Sequence, residues 1–228
     1  MNQDKIWNYF QKEANNQVFS QSNSRLNYLF QKTLKLFNNS KLTVLNIGSG
    51  DGWLEKKSHQ QGWETYALDP TSEAIKILEC SGIMGKVGYI EQIPYADSFF
   101  DVVFCSEVIE HLSDEQIKLG LLEVERVLKK GGVLIGTVPY NENLLDNQVV
   151  CPKCGEVFHR WGHQQSFDSI SFTKIFPPTL SIQTMSVHYF VDLSFTNWKS
   201  LVLSLAKKGI SAIGMHGNTE NLFFIVKK

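Results

Sequence analysis

None of these 228 residues falls in an apolar run near the ~18 that a membrane helix requires. The opening "MNQDKIWNYFQKEANNQ" also lacks a basic region followed by an apolar core. A soluble, cytoplasmic chain is the expectation. A dominant charge is missing too: 22 Lys and Arg stand against 23 Asp and Glu, so no global field would hold a polyanion. Nucleic acid is therefore disfavoured as a partner, although a local patch stays open. Four cysteines are too few for a disulfide scaffold, and no internal repeat or low-complexity tract is found. What is present, with 43% of residues hydrophobic, suffices for one well-buried domain with some elaboration.

Apolar positions Ile6, Phe10, Leu26, Leu29, Phe30, Leu34 and Phe37 predict two helices within residues 1–40, read as a lid over a main domain at 41–228. "LTVLNI" predicts a first strand, residues 53–61 a helix and "ETYALD" a second strand. "TSEAIKILECSG" predicts a helix with a Ser/Thr start and a glycine end. "KVGYIEQI" predicts a third strand and "FDVVFCSEV" a fourth, buried on both faces. "DEQIKLGLLEVERVLKKGG" reads as an amphipathic helix and "VLIGTVP" as a fifth strand. This alternation is the pattern of a parallel sheet wrapped by helices, an α/β fold. Beyond Pro139 the pattern loosens into an insertion at about 141–168. A helix near 169–176, a strand at 181–189, a helix at 197–207 and a last strand "NLFFIVKK" follow.

The stretch "VLNIGSGDGWL" places Gly48, Gly50 and Gly52 directly after a strand and at the opening of a helix, where they can take positive φ and admit a ligand against bare backbone. Asp69 ends the next strand, 19 residues after Gly50, where a carboxylate can accept both ribose hydroxyls of an adenosine. A tight strand-helix turn with Asp69 as a helix cap is the plainer alternative. The spacing is GxGxG, not the GxGxxG of a pyrophosphate site, and no GK(S/T) follows, so a phosphate-free nucleoside such as S-adenosylmethionine fits better.

"VLNIGSGDGWL", "YALD", "IEQIPYADSFFDVVFCSEVIEHL" and "EVERVLKKGGVLIGTVP" together resemble the successive motifs of the class I S-adenosylmethionine-dependent methyltransferases, over residues 42–140. The resemblance implies a Rossmann-like three-layer sandwich with a seven-stranded, mostly parallel sheet, its last strand antiparallel and helices on both faces. It implies that Gly48, Ser49 and Gly50 meet the methionine portion and Asp69 the ribose, with Pro70 beside the adenine. Ile90, Glu91 and Gln92 would lie along the adenine edge, and Ser106 and Glu107 beneath the sulfonium. Two departures stand out. Asn46 occupies the place of an acid that helps orient the methionine ammonium, and Tyr89 that of an Asp that meets the adenine amino group.

Methyl transfer is an in-line displacement in which a base is needed only for a protonated acceptor. Glu107, His111 and His163 are the candidates for that role, although "EVIEHL" can equally serve packing. Arg25 could reach the cofactor carboxylate or lie solvated on its helix. "CPKCGEVFHRWGH" holds Cys151, Cys154, His159 and His163, two thiolates and two imidazoles that suit a structural, tetrahedral zinc. Alternatively "HRWGH" lines the acceptor pocket. The first functional expectation is methylation of oxygen or nitrogen on a small molecule, a saccharide-like or secondary-metabolite acceptor foremost. The others are an RNA- or protein-modifying methyltransferase that uses a zinc knuckle for recognition, a NAD-dependent oxidoreductase, and a scaffold that keeps the pocket without turnover. Oligomeric state is left open.

Overall fold

The computed structural model describes residues 5–7, 9, 22–191, 206–209, 211 and 220–228. Within them α1 (Asn23–Leu36) leads to β1 (Thr43–Ile47), α2 (Trp53–Gln60), β2 (Glu64–Asp69), α3 (Ser72–Glu79), β3 (Met84–Val87) and β4 (Phe100–Ser106). There follow a 3-10 turn (Ile109–His111), α4 (Asp114–Val127), β5 (Leu128–Pro139), a second 3-10 turn (Leu144–Asn147) and the strands β6 (Gln148–Val150) and β7 (Val157–His159). The chain ends in α5 (Ser169–Thr173), β8 (Ser181–His188) and β9 (Asn221–Lys227).

Seven strands form one sheet in the order β3-β2-β1-β4-β5-β9-β8. The first five run parallel and β9 is antiparallel to both of its neighbours, as the resemblance implied. Both faces are covered, which is why β4 and β9 read as unbroken apolar runs. In β4, Phe100, Val103 and Cys105 enter the core beneath Ile117, Leu121 and Val124 of α4. Val102 and Phe104 point the other way, to the core shared with Leu29 and Phe30 of α1 and Leu54 of α2. The helix α1 is thus seated on the sheet as one of its covering layers. Helix α4 begins at Ser113, whose hydroxyl accepts from Gln116 N–H while Gln116 returns a bond to the Ser113 backbone.

Three expectations need correction. The third strand is Met84–Val87, not the "KVGYIEQI" segment: it lies at the sheet edge and is mostly exposed, so no apolar alternation marks it. The apolar residues that suggested a strand, Ile90 and Ile93, are loop residues buried in the core. Ile90 packs on Gly120 of α4, where a Cβ would come within 2.9 Å of it. Helix α4 stops at Val127, because Leu128 already pairs with Phe100 and Lys129 bonds Asp101 at 2.9 Å, so "LKKGG" belongs to β5. Helix α5 is shorter than expected, ending at Thr173 before Pro177 and Pro178. Most of the first N-terminal helix and of the 197–207 helix lies outside the described residues, as does any lid they form. Among the described residues, no helix is long and apolar enough to cross a membrane.

Candidate functional site

The ends of β1, β2 and β4 lie side by side, Ile47 pairing with Leu68 and with Cys105. Sheet order reverses between β1 and β4, where open α/β sheets leave a crevice for ligands. The glycine loop turns there through three left-handed residues, Gly48 (φ 80°), Gly50 (φ 55°) and Gly52 (φ 74°). Gly48 is required twice over: its φ disfavours any other residue, and an added Cβ would sit 2.7 Å from the Val108 side chain. The buried carboxylate of Asp69 accepts the Ser49 N–H at 2.8 Å through one oxygen, and the N–H (2.8 Å) and hydroxyl (2.5 Å) of Thr71 through the other. Burial pushes its pKa up, against the pull of those donors. Asp69 therefore fixes the loop's shape while standing at the crevice.

Beneath the loop lies a second buried acid. Glu55, in the first turn of α2, is fully buried, and its Oε1 accepts the Asn46 amide at 2.9 Å while Oε2 has no hydrogen-bond partner. Burial raises its pKa from 4.5 to about 7 against the Asn46 hydrogen bond. The neighbouring helix thus sets a buried acid against Asn46.

At the end of β4, Glu107 takes a left-handed conformation (φ 56°), the kind of strained backbone that gathers at functional sites. Its Oε1 accepts from Thr137 Oγ1 at 2.9 Å and Asn221 Nδ2 at 3.0 Å. Arg25 folds over from α1 and is not a solvated helix arginine: its side chain is 17% exposed. Its Nε donates to Ser106 Oγ at 3.2 Å, and Nη1 lies 4.0 Å from Glu107 Oε2. Ser106 in turn shares a 2.8 Å bond with Thr137. One network thus carries a guanidinium to the mouth of the crevice.

Next to Glu107, the 3-10 turn buries Glu110 and His111, and the insertion brings His163, Glu142 and His159 against them. The His111 and His163 rings meet edge to face, with centroids 4.5 Å apart, and the Trp7 ring also meets His111, at 4.3 Å. His163 Nδ1 bonds Glu142 Oε2. Burial alone would raise the Glu142 carboxyl, but the His163 bond and the charges of His163 and His159 hold it below its ordinary value. Burial and the neighbouring His163 push His111 well below the usual imidazole range, and His159 is lowered for the same reasons. Glu110 is raised well above the carboxylate range by burial and by Glu107.

Residues 45–136 match the protein family described as "Methyltransferase domain". Among curated relatives, the ubiquinone biosynthesis O-methyltransferase of Rickettsia bellii is 33% identical over 121 residues, 50% of each chain. That of Rickettsia akari is 26% identical over 192 residues, 80% of this chain and 72% of the relative. The chain spans about half the length of most of the curated relatives it matches. Among solved structures, the 1,6-didemethyltoxoflavin-N1-methyltransferase of Burkholderia thailandensis with bound S-adenosylhomocysteine superposes with a TM-score of 0.68, covering 99% of this chain and 86% of that one at 10% identity. The fold is that of the class I methyltransferases.

In that methyltransferase fold, Asn46, Gly48, Ser49, Gly50, Asp69, Ser106 and Glu107 are gathered at one sheet edge, with half-buried Pro70 beside Asp69. Residues 90–92 send their side chains in three directions. The Ile90 side chain turns into the core, Glu91 accepts from Gln116 at 2.5 Å, and Gln92 is exposed. Glu107, a candidate base, is engaged by Thr137, Asn221 and Arg25. The tetrahedral zinc set is not assembled: among the described residues, neither Cys151 nor Cys154 joins a cluster of three or more metal-ligating groups. The hairpin explains this, because β6 and β7 pair Val150 with Val157 at the cysteine turn but Gln148 with His159 at the opposite end. At ~3.3 Å per residue this separates Cys151 from the level of His159 by about 10 Å. The histidines turn to Glu142, and Cys154 is exposed. Sequence reasoning passed over Glu55, Glu110, Glu142, Thr137 and Asn221. Only Glu110 had a visible signal, an acid three residues after Glu107 and adjacent to His111.

Proposed function

We propose that the protein is an S-adenosylmethionine-dependent methyltransferase acting on an oxygen, or a nitrogen, of a small molecule. The observation that carries this reading is the convergence on one sheet edge of the left-handed glycine loop, the Asp69 carboxylate and the Arg25 guanidinium. The residues fit the cofactor. A phosphate-free tail could lie against Gly48–Gly50, Arg25 could meet its carboxylate, and Glu55, buried against Asn46 with one oxygen unpartnered, could offer an acid to its ammonium. When bound, S-adenosylmethionine supplies an electrophilic methyl group on a sulfonium. The chain's own part is alignment: Asp69 would hold the ribose, Arg25 the carboxylate, and the Ser106–Glu107 turn at the end of β4 would face the reacting end. On the acceptor side, the neutral His111 and the Glu142-oriented His163 handle the polarity of the incoming hydroxyl. Relatives named as O-methyltransferases and the balanced charge support an uncharged or weakly charged hydroxylated acceptor. A saccharide-like or secondary-metabolite acceptor stands first.

Parallel titrations with S-adenosylmethionine and NADH, followed by a panel of hydroxylated small molecules with S-adenosylhomocysteine release as readout, test the reading. Binding of the sulfonium nucleoside alone, with turnover on at least one acceptor, is expected. Binding of NADH alone would overturn it.

A further inference from the structure

Glu110, His111 and His163 bring one carboxylate and two imidazoles together beyond β4, their ligand atoms within 4.8 Å of one another. An overlapping trio consists of Glu142, His159 and His163. Proton positions decide between them. His159 Nδ1 accepts the backbone N–H of His163 at 3.1 Å, so the neutral ring carries its proton on Nε2, which faces Glu142 Oε1 at 3.4 Å. That ring has no spare lone pair. His163 is the reverse case, since Nδ1–H donates to Glu142 and leaves the Nε2 lone pair available.

Metal-bound histidines nearly always donate their other N–H to a carboxylate or a backbone carbonyl. His163 does the first, toward Glu142. Glu110 completes the set, for it is fully buried and neither of its oxygens has a hydrogen-bond partner. A carboxyl in that condition stays neutral unless a cation is brought to it, and ionised it must be paired or coordinate a metal. Its Oε1 lies 3.9 Å from His111 Nε2, near the ~3.4 Å that separates two ligands held about 2.1 Å from one tetrahedral ion.

We propose that Glu110, His111 and His163 hold one divalent first-row transition-metal ion on the acceptor side of the crevice. Two imidazoles and one carboxylate favour zinc or manganese over magnesium or calcium, which prefer oxygen ligands throughout. Three protein ligands leave positions open. That an acceptor hydroxyl takes one of them and releases its proton to solvent water more readily there rests on the proposed methyl transfer; the binding of the ion does not. His163 then acts as a ligand and not as a base, and Glu142 is the positioning residue that fixes its ring.

The test uses the full chain, stripped with a chelator, dialysed, and titrated calorimetrically with Zn2+ and Mn2+. One ion per chain is expected in the wild type and equally in the Cys151→Ser/Cys154→Ser double variant. Affinity should fall more than about 100-fold in Glu110→Gln and His163→Asn, and about 10- to 100-fold in Glu142→Gln. The Co2+ absorption spectrum of the unaltered protein keeps the proposal testable if a variant fails to fold. Weak bands of nitrogen and oxygen ligation are expected. Absence of a stoichiometric ion, unchanged affinity in Glu110→Gln, or intense thiolate-to-cobalt bands that vanish in the cysteine variant would overturn it. Failure to bind metal with S-adenosylmethionine binding intact would sink this inference and leave the methyltransferase reading standing.

Discussion

Glu55→Gln isolates the consequence of burying an acid beneath the glycine loop. The glutamine keeps the size and the oxygen that accepts from Asn46 at 2.9 Å, and removes only the ionisation. In the folded protein the carboxyl titrates at about 7 and not at 4.5. Burial raises the folded pKa of an acid, so the folded state retains a proton that the unfolded chain has released. Stability from this group is full below about 4.5 and is lost as the pH rises toward about 7. At about 1.36 kcal/mol per pH unit the loss is roughly 3 kcal/mol. Urea unfolding of wild type and variant at pH 5, 6, 7 and 8 measures it. The difference between the two curves should swing by roughly 3 kcal/mol in the variant's favour on going from pH 5 to pH 8, with other titrating groups cancelling. Curves that stay parallel would refute the buried-acid reasoning. The same acid should respond to a cation above it. S-adenosylmethionine affinity is expected to rise with pH through about 7 in the wild type, and much less in the variant.

Gly48→Ala places a side chain at φ 80° and drives a Cβ to 2.7 Å from Val108, so a loss of about 2 kcal/mol in urea unfolding is expected, together with weakened cofactor binding. A variant as stable as wild type would contradict the packing argument. Arg25→Ala removes the guanidinium next to Ser106 and Glu107; S-adenosylhomocysteine affinity by calorimetry should drop about 10- to 100-fold with the melting temperature little changed. Unaltered affinity would return Arg25 to a purely structural role. Gly136→Ala sets a Cβ 1.7 Å from the Cys105 carbonyl oxygen in the middle of the sheet, so soluble yield and cooperative unfolding should both be lost, as circular dichroism would report.

Central strands were legible in sequence because both of their faces are covered: β4 and β9 needed only their apolar runs to be recognised. The edge strand β3 was misplaced for the opposite reason, since exposure leaves no periodic signal and the nearby Ile90 and Ile93 are loop residues that pack on α4. At the site, the glycine loop and Asp69 were readable because local backbone demands fix their spacing. Glu55 was not, because only the return of α2 over β1 buries it against Asn46. The cysteine and histidine run suggested one tetrahedral centre, but β-pairing of Gln148 with His159 carries the two halves to opposite ends of a hairpin. Glu142 lies 21 positions before His163, and no linear motif links them.

The most direct measurement is a crystal structure of the protein grown with S-adenosylhomocysteine. The account predicts the amino-acid tail along Gly48–Gly50 with its carboxylate toward Arg25, and the ribose hydroxyls on Asp69. Density elsewhere, or a ribose that makes no contact with Asp69, would contradict it.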